Sequence, residues 1–226
     1  MIASTRRIAA CALAAALCLF LCFGLSAVSA AKASPASRPV VVLDAGHGGI
    51  DPGVVGTDTG VRESELNLSV VKILEELFAE AGFCVVLTRT GAGGLYGLPV
   101  GSCKQRDMQA RRRIIEESRP NIVLSIHQNT FPADRSRRGG QVFYRQGDAA
   151  ARTLAEGIQR QLNALGGGRY EPLAGDYYVL NCTRYTSVIV ECGFLSNPQE
   201  EALLCTEGYR RSLARAVFYG ALAFFA

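Results

Sequence analysis

The sequence predicts an α/β fold, a single three-layer domain in which a mostly parallel, twisted sheet is flanked by helices. Three observations carry this. Short continuous runs rich in β-branched residues, at 39–43, 84–88, 121–126 and 187–190, have the composition of strands covered on both faces. Between them lie longer segments whose apolar residues recur three or four apart. The two kinds alternate along the chain, the pattern of parallel strands joined by helical crossovers.

The elements follow in order. Residues 31–38 (AKASPASR) form a short polar linker, and the strand at 39–43 runs into the glycine-rich turn Asp44-Ala45-Gly46-His47-Gly48-Gly49. Leu66, Val70, Ile73, Leu74 and Leu77 give 63–81 helical spacing, which Gly82 stops. The strand at 84–88 precedes a glycine-rich loop at 90–101 and a basic helix at 104–118. The strand at 121–126 is apolar and ends at His127, and 139–145 (GGQVFYR) reads as an edge strand. A helix at 148–164 breaks at Gly166-Gly167-Gly168, and 177–180 and 187–190 read as short strands. Pro198 starts a helical turn, and 209–225 is the final helix. Ligands of such sheets collect beyond the carboxyl ends of the strands. His47, His127 and Glu191 each follow a predicted strand, so residues distant in sequence are expected to meet at one sheet edge.

Composition narrows the class. Apolar residues at 49% and charged residues at 19% describe a globular body rather than a disordered chain. Arg6 and Arg7, followed by an apolar run at 8–28 and the small residues Val28-Ser29-Ala30, read as an export segment at 1–30. The run is long enough to cross a bilayer, so it serves either as a cleaved signal peptide or as a retained membrane anchor. In both cases the body of the chain lies outside the cytoplasmic membrane. Removing Arg6 and Arg7 from the net charge of +4 leaves +2, too little excess to indicate nucleic acid. The basic cluster Arg135, Arg137 and Arg138 reads either as a solvated loop or as contact with an anionic substrate. Three of the eight cysteines (Cys11, Cys18, Cys22) fall in the export segment. The other five, Cys84, Cys103, Cys182, Cys192 and Cys205, are odd in number and lack zinc-knuckle spacing, so no essential disulfide is expected.

The chemistry centres on the chain's two histidines. One histidine is usually structural, but here both terminate apolar strands, which points to ligation. A catalytic zinc site needs three protein ligands and an open fourth position, and two histidines with one carboxylate are a common set. Glu63, opening the first helix, is one candidate for the third ligand, although an acid there also suits the helix dipole. Glu65, Asp51 and Asp58 compete, and spacing does not choose among them. Glu191 follows a strongly apolar strand, where a carboxylate is costly unless paired or used. Beside a zinc-activated water it could act as general base.

Four segments together resemble the zinc-dependent N-acetylmuramoyl-L-alanine amidases of the family-3 type. These are Val42-Leu43-Asp44-Ala45-Gly46-His47-Gly48-Gly49, Glu63-Ser64-Glu65-Leu66-Asn67-Leu68, Ser125-Ile126-His127-Gln128-Asn129 and Val190-Glu191-Cys192-Gly193-Phe194-Leu195-Ser196-Asn197. Their order and spacing match from about Pro39 onward, making 39–226 the amidase catalytic domain. The resemblance implies Zn2+ held by His47, Glu63 and His127, with Glu191 as the catalytic base. It implies hydrolysis of the amide between the lactyl group of N-acetylmuramic acid and L-alanine in peptidoglycan. Within the family, Lys104-Gln105-Arg106-Asp107-Met108-Gln109-Ala110-Arg111 and Gly139-Gly140-Gln141-Val142-Phe143-Tyr144 are similar to the spore-cortex amidases of endospore formers. That subgroup implies a role before muramic δ-lactam formation, in the forespore envelope. Two departures stand out: Glu63-Ser64-Glu65 replaces the usual Glu-Lys-Asp, and Cys192 follows the catalytic position.

Further expectations complete the picture. Asp44 is expected to orient His47 by accepting its ring N–H. The short stretch between His127 and Gly139 leaves no room for a blocking helix, so control falls to expression timing, membrane retention through residues 8–28 or an activating partner protein. Rival functions are another zinc amide hydrolase, such as a carboxypeptidase or sugar deacetylase, and a non-catalytic peptidoglycan-binding module.

Overall fold

The computed structural model describes residues 38–226. The export segment 1–30 and the linker up to residue 37 lie outside the described residues. The strands are β1 Val40–Ala45, β2 Cys84–Leu87, β3 Ile122–Asn129, β4 Gln141–Tyr144, β5 Leu173–Ala174 and β6 Thr186–Phe194. The helices are α1 Glu63–Glu80, α2 Cys103–Ser118, α3 Ala149–Ala164, α4 Tyr178–Asn181, α5 Pro198–Leu204 and α6 Glu207–Leu222. The sheet order is β2-β1-β3-β6-β4-β5. The first four strands in that order run parallel, β4 is antiparallel to β6, and β5 is parallel to β4. The three-layer, mostly parallel α/β domain expected from the sequence is therefore the fold.

The two faces of the sheet are unequal, and this positions the site. Successive strand residues point to opposite faces. Val41, Leu43, Ala45, Leu124, Ile126, Val188 and Val190 join the large core beneath α1, α3 and α6. Val42, Val123 and Ile189 face the other way, into a small cluster with Ile115 of α2 and Val179 and Leu180 of α4. On this thin face the strands change character toward their carboxyl ends: Val42 gives way to Asp44, Val123 to Ser125 and His127, and Ile189 to Glu191. The large core carries the apolar burial that stabilises the domain, each fully buried Leu or Ile contributing roughly 2 kcal/mol. Gly157 and Gly220 let α3 and α6 meet backbone to backbone there, since a β-carbon at Gly157 would lie 2.6 Å from the Gly220 carbonyl oxygen.

Two expectations fail locally. Where a strand is expected at 177–180, Tyr178–Asn181 form a helical turn, because burying Val179 and Leu180 together against α2 overrides the strand propensity of Tyr-Tyr-Val. The segment 139–145 is not the outermost strand, since the two-residue β5 pairs along it. By contrast, α1 ends as read, with Gly82 at φ 86° just beyond it. The cysteines Cys84, Cys103, Cys182, Cys192 and Cys205 are free.

A buried polar cluster ties the end of β1 to its neighbours. Asp44 accepts hydrogen bonds from the hydroxyls of Thr88 (2.6 Å) and Ser125 (2.6 Å) and pairs with the Arg111 guanidinium. Arg111 also binds Asp107 at 2.7 Å and donates to the carbonyls of Ala45 (2.8 Å) and His47 (2.6 Å). Arg89 donates to Ala45 (2.8 Å), Gly46 (3.0 Å) and Ser64 (2.7 Å) carbonyls. Burial alone would push the Asp44 carboxyl up, but Arg111 and the two hydroxyls outweigh it and hold the group at about 2.

That depression gives a signed prediction. The stabilisation from ionised Asp44 is complete above its unfolded value of 3.8 and disappears as pH falls through about 2. Asp44→Asn should cost about 3 kcal/mol near neutrality, because it leaves the buried Arg111 charge with Asp107 as its one remaining carboxylate among the described residues. In urea unfolding, the difference between wild type and variant should shrink by about 2 kcal/mol across that acid window. A difference independent of pH would contradict the assignment.

Candidate metal centre and active site

His47 sits two residues beyond β1, in a backbone conformation few side chains adopt. Its φ is 62°, and Gly48 and Gly49 follow at 133° and 63°. Arg111 and Arg89 hold the carbonyls of Ala45, Gly46 and His47 and so fix this turn. Gly46 has a separate steric role: a β-carbon there would lie only 2.1 Å from His127 Cε1 and clash with the ring. The two imidazoles meet edge to face with centroids 5.0 Å apart.

Glu63 opens α1 against the loop carrying His47. The first amides of that helix find loop carbonyls, Glu63 N–H to Val54 (2.8 Å) and Ser64 N–H to Pro52 (3.0 Å). In return Glu63 Oε2 accepts the Val54 N–H at 2.8 Å. Its Oε1 accepts the Gln128 N–H at 3.1 Å and the Asn67 amide at 3.3 Å. The same oxygen lies 3.2 Å from His47 Nε2 and 3.0 Å from His127 Nδ1. Ligand atoms of His47, Glu63 and His127 thus fall within 4.8 Å of one another. Two imidazole nitrogens and one anchored carboxylate oxygen are a donor set that fits Zn2+.

The rival acids separate. Glu65 is exposed, and Asp58 pairs with Arg135 at 3.2 Å. Asp51 takes the role expected of Asp44: its Oδ2 lies 2.9 Å from His47 Nδ1. Asp44, saturated by Arg111, Thr88 and Ser125, is not the acceptor for His47. A proton on His47 Nδ1, donated to Asp51, leaves Nε2 with its lone pair toward the cluster. Within the basic cluster after His127, Arg135 also binds the Ser196 carbonyl at 2.9 Å and Arg137 lies over the Phe131 ring at 3.8 Å.

Glu191 lies inside β6, near its end, directly opposite His127 of β3. The register slips just beyond this pair, between His127 and Asn129, a bulge of the kind often found beside active sites. Glu191 Oε2 is buried and has no hydrogen-bond partner among the described residues. Burial raises its carboxyl, His127 and His47 offset part of that, Glu63 adds to it, and the group settles at about 7. For Glu63, burial also raises, but His127 and His47 prevail and hold the carboxyl well below the usual range. Burial lowers the His47 ring while Glu63 and Asp51 outweigh it, leaving its pKa raised. Cys192, next along β6, points into the large core, and burial keeps its thiol protonated.

His47, His127 and Glu191 border a cleft of about 270 Å³, walled on the apolar side by Met108, Tyr177, Tyr178, Val179 and Ile189. Between β3 and β4 the chain makes only turns, so no helix crosses the cleft from that side. Asp51, Asn67, Arg89 and Arg111 were not read from the sequence as supports of the site. Asp51 carried a signal as a nearby acid four residues after His47, and Arg111 lay in a stretch noted only for resemblance. Arg89, next to an ordinary strand, carried none.

Comparison with known proteins agrees with the geometry. Residues 41–223 match the family model described as N-acetylmuramoyl-L-alanine amidase. The germination-specific N-acetylmuramoyl-L-alanine amidase of Bacillus subtilis is 30% identical over 200 residues, covering 84% of this chain and 81% of that protein. The CwlD amidase of Clostridioides difficile, solved in complex with the GerS lipoprotein, superposes with a TM-score of 0.79 at 33% identity, covering 83% of this chain and 98% of that one. An N-acetylmuramoyl-L-alanine amidase from Clostridium difficile 630 follows at TM-score 0.74 and 25% identity, with 83% and 97% covered. The chain belongs to the N-acetylmuramoyl-L-alanine amidase family and is an enzyme that hydrolyses amide bonds in peptidoglycan.

Proposed function

We propose that this chain is an exported, zinc-dependent amidase that removes the peptide from muramic acid in spore-cortex peptidoglycan, with His47, Glu63 and His127 as metal ligands and Glu191 as general base. The observation that carries the reading is the meeting of three anchored donor atoms within 4.8 Å, with a partnerless carboxylate on the neighbouring strand. A bound zinc ion supplies Lewis acidity and brings the pKa of water from 15.7 toward about 7.

The chain's own residues do the rest. Glu191, with a carboxyl settling at about 7, accepts a proton from the attacking water and later delivers it to the departing L-alanine nitrogen. Its buried Oε2 has no competing partner among the described residues, which leaves it available for both transfers. Asp51 holds the His47 tautomer, and the backbone amides of Val54 and Gln128 hold Glu63. Met108, Tyr177 and Ile189 give the cleft an apolar wall beside the reacting centre.

Likeness to a germination-specific amidase and to CwlD supports the cortex role, and in that role the reaction would precede muramic δ-lactam formation by a separate deacetylase. The complex of CwlD with a lipoprotein supports a protein partner for this chain as well. Export would depend on the apolar run 8–28, cleaved or retained as an anchor.

Mass spectrometry of peptidoglycan digested by the zinc-loaded protein, against a chelated control, should show muramic acid freed of an intact peptide. Release of D-alanine or acetate instead would refute the reading. Glu191→Gln should lower kcat by about 10²–10⁴-fold while zinc content stays at the wild-type level. Asp51→Asn should weaken zinc affinity about 10–100-fold. Unchanged turnover in the first variant, or unchanged affinity in the second, would remove the role assigned to that residue.

A further inference from the structure

The cleft continues past the metal ligands. A second chamber of about 300 Å³ adjoins it, bordered by Ile50, Pro52, Tyr96 and Cys103, and the two chambers share Asp51, Lys104 and Met108. Lys104, Asp51 and Met108 therefore form a sill between the two chambers.

The cations of this double cleft are not equivalent. Arg111 is 2% exposed, and its guanidinium is committed to Asp44, Asp107 and two backbone carbonyls. The Lys104 side chain is 71% exposed, and among the described residues its ammonium makes one polar contact, 3.4 Å to Asp51 Oδ2. Asp51 does not depend on that contact, because the same oxygen takes His47 Nδ1 at 2.9 Å and Oδ1 accepts the Gly53 N–H at 3.1 Å. Lys104 thus offers free N–H donors at the sill, and an exposed ion pair of this length exchanges readily for a better acceptor.

We infer that Lys104 is a specificity-determining residue that receives a free carboxylate of the peptide stem. This rests on reading the cleft as the amidase centre. The stem leaving muramic acid begins with L-alanine, and an acidic residue joined through its side-chain carboxyl would leave its α-carboxylate free. The short path from Lys104 through Asp51 and the His47 ring sets the ammonium about 9 Å or less from the ligating nitrogen, the reach of two to three extended residues. An ammonium there meets a carboxylate one or two residues beyond the scissile amide, while Met108 contacts the intervening chain.

The test is a matched pair of muropeptides, one with that stem carboxylate free and one with it converted to the carboxamide. Wild-type kcat/KM should favour the acid about tenfold or more, with the difference in KM. Lys104→Gln should reduce the preference to less than about twofold, and Lys104→Glu should invert it. Added salt should raise KM for the acidic substrate alone. Equal cleavage of both substrates by wild type, or a preference that survives Lys104→Gln, overturns the inference and leaves the amidase reading intact. A fall in kcat on both substrates together with lost zinc would make Lys104 a support of Asp51 instead. Cleavage of neither substrate by zinc-loaded wild type defeats the amidase reading itself.

Discussion

Two buried guanidinium groups hold the carbonyl oxygens of Ala45, Gly46 and His47, and the candidate metal centre depends on that grip. His47 occupies a backbone region that disfavours a side chain, at φ 62°. Left to itself the turn would relax, at a cost recovered of order 1–3 kcal/mol. Arg89 and Arg111 prevent this from two directions, one anchored beside β2 and the other in α2. The arrangement is expensive. Burial drops the Arg89 pKa to about 10, with Arg111 adding repulsion. Buried ion pairs of this kind seldom add net stability over apolar packing, so what the Asp44–Arg111 pair supplies is a single geometry.

The same economy explains why one sheet face carries the chemistry. Strand alternation sends every second residue of β1, β3 and β6 to the thin face, where α2 and the short α4 cover only the amino-terminal half. The uncovered half becomes the cleft, and Asp44, Ser125, His127 and Glu191 fall there by parity alone. A one-residue slip between β3 and β6 would turn His127 or Glu191 into the large core. The apolar residues Ile126, Val190 and Cys192 on that other side therefore guard the register of the site as well as the stability of the domain.

What could be read from the sequence follows the same division. β1, α1 and the Gly82 stop were legible because period, composition and punctuation agreed there. Convergence of His47, His127 and Glu191 followed from their place at strand ends, although His127 and Glu191 lie within β3 and β6 rather than after them. The choice of Glu63 over Glu65 needed family resemblance, since both are first-turn acids and only the loop packing buries one of them. The partner of His47 was misassigned to Asp44 because the buried Arg111 that claims Asp44 sits 67 residues away in a helix that reads as merely basic. Residues 177–180 were misread because strand propensity is a surface preference that burial against α2 overrides.

Glu63 and Glu191 show how far environment separates two identical side chains. Glu63 is buried, Glu191 is half-buried with its Oε2 enclosed, and both face the two histidines. Glu63 Oε1 lies 3.0 Å from His127 and 3.2 Å from His47, and those two rings outweigh burial and keep its carboxyl ionised, while amides of Val54, Gln128 and Asn67 fix its position. Glu191 sits on a strand whose amides are spent on the sheet ladder, and one of its oxygens has nothing to accept among the described residues. Its charge is disfavoured by burial and by Glu63 itself, and its carboxyl rises to about 7. The ionised group suits a fixed ligand and the poised group suits a proton carrier, so the division of roles proposed for them follows from which glutamate is brought into direct contact with both imidazoles. Pushing the two pKa values apart in this way needs no special residue type, only one glutamate at a helix start and one in mid-sheet.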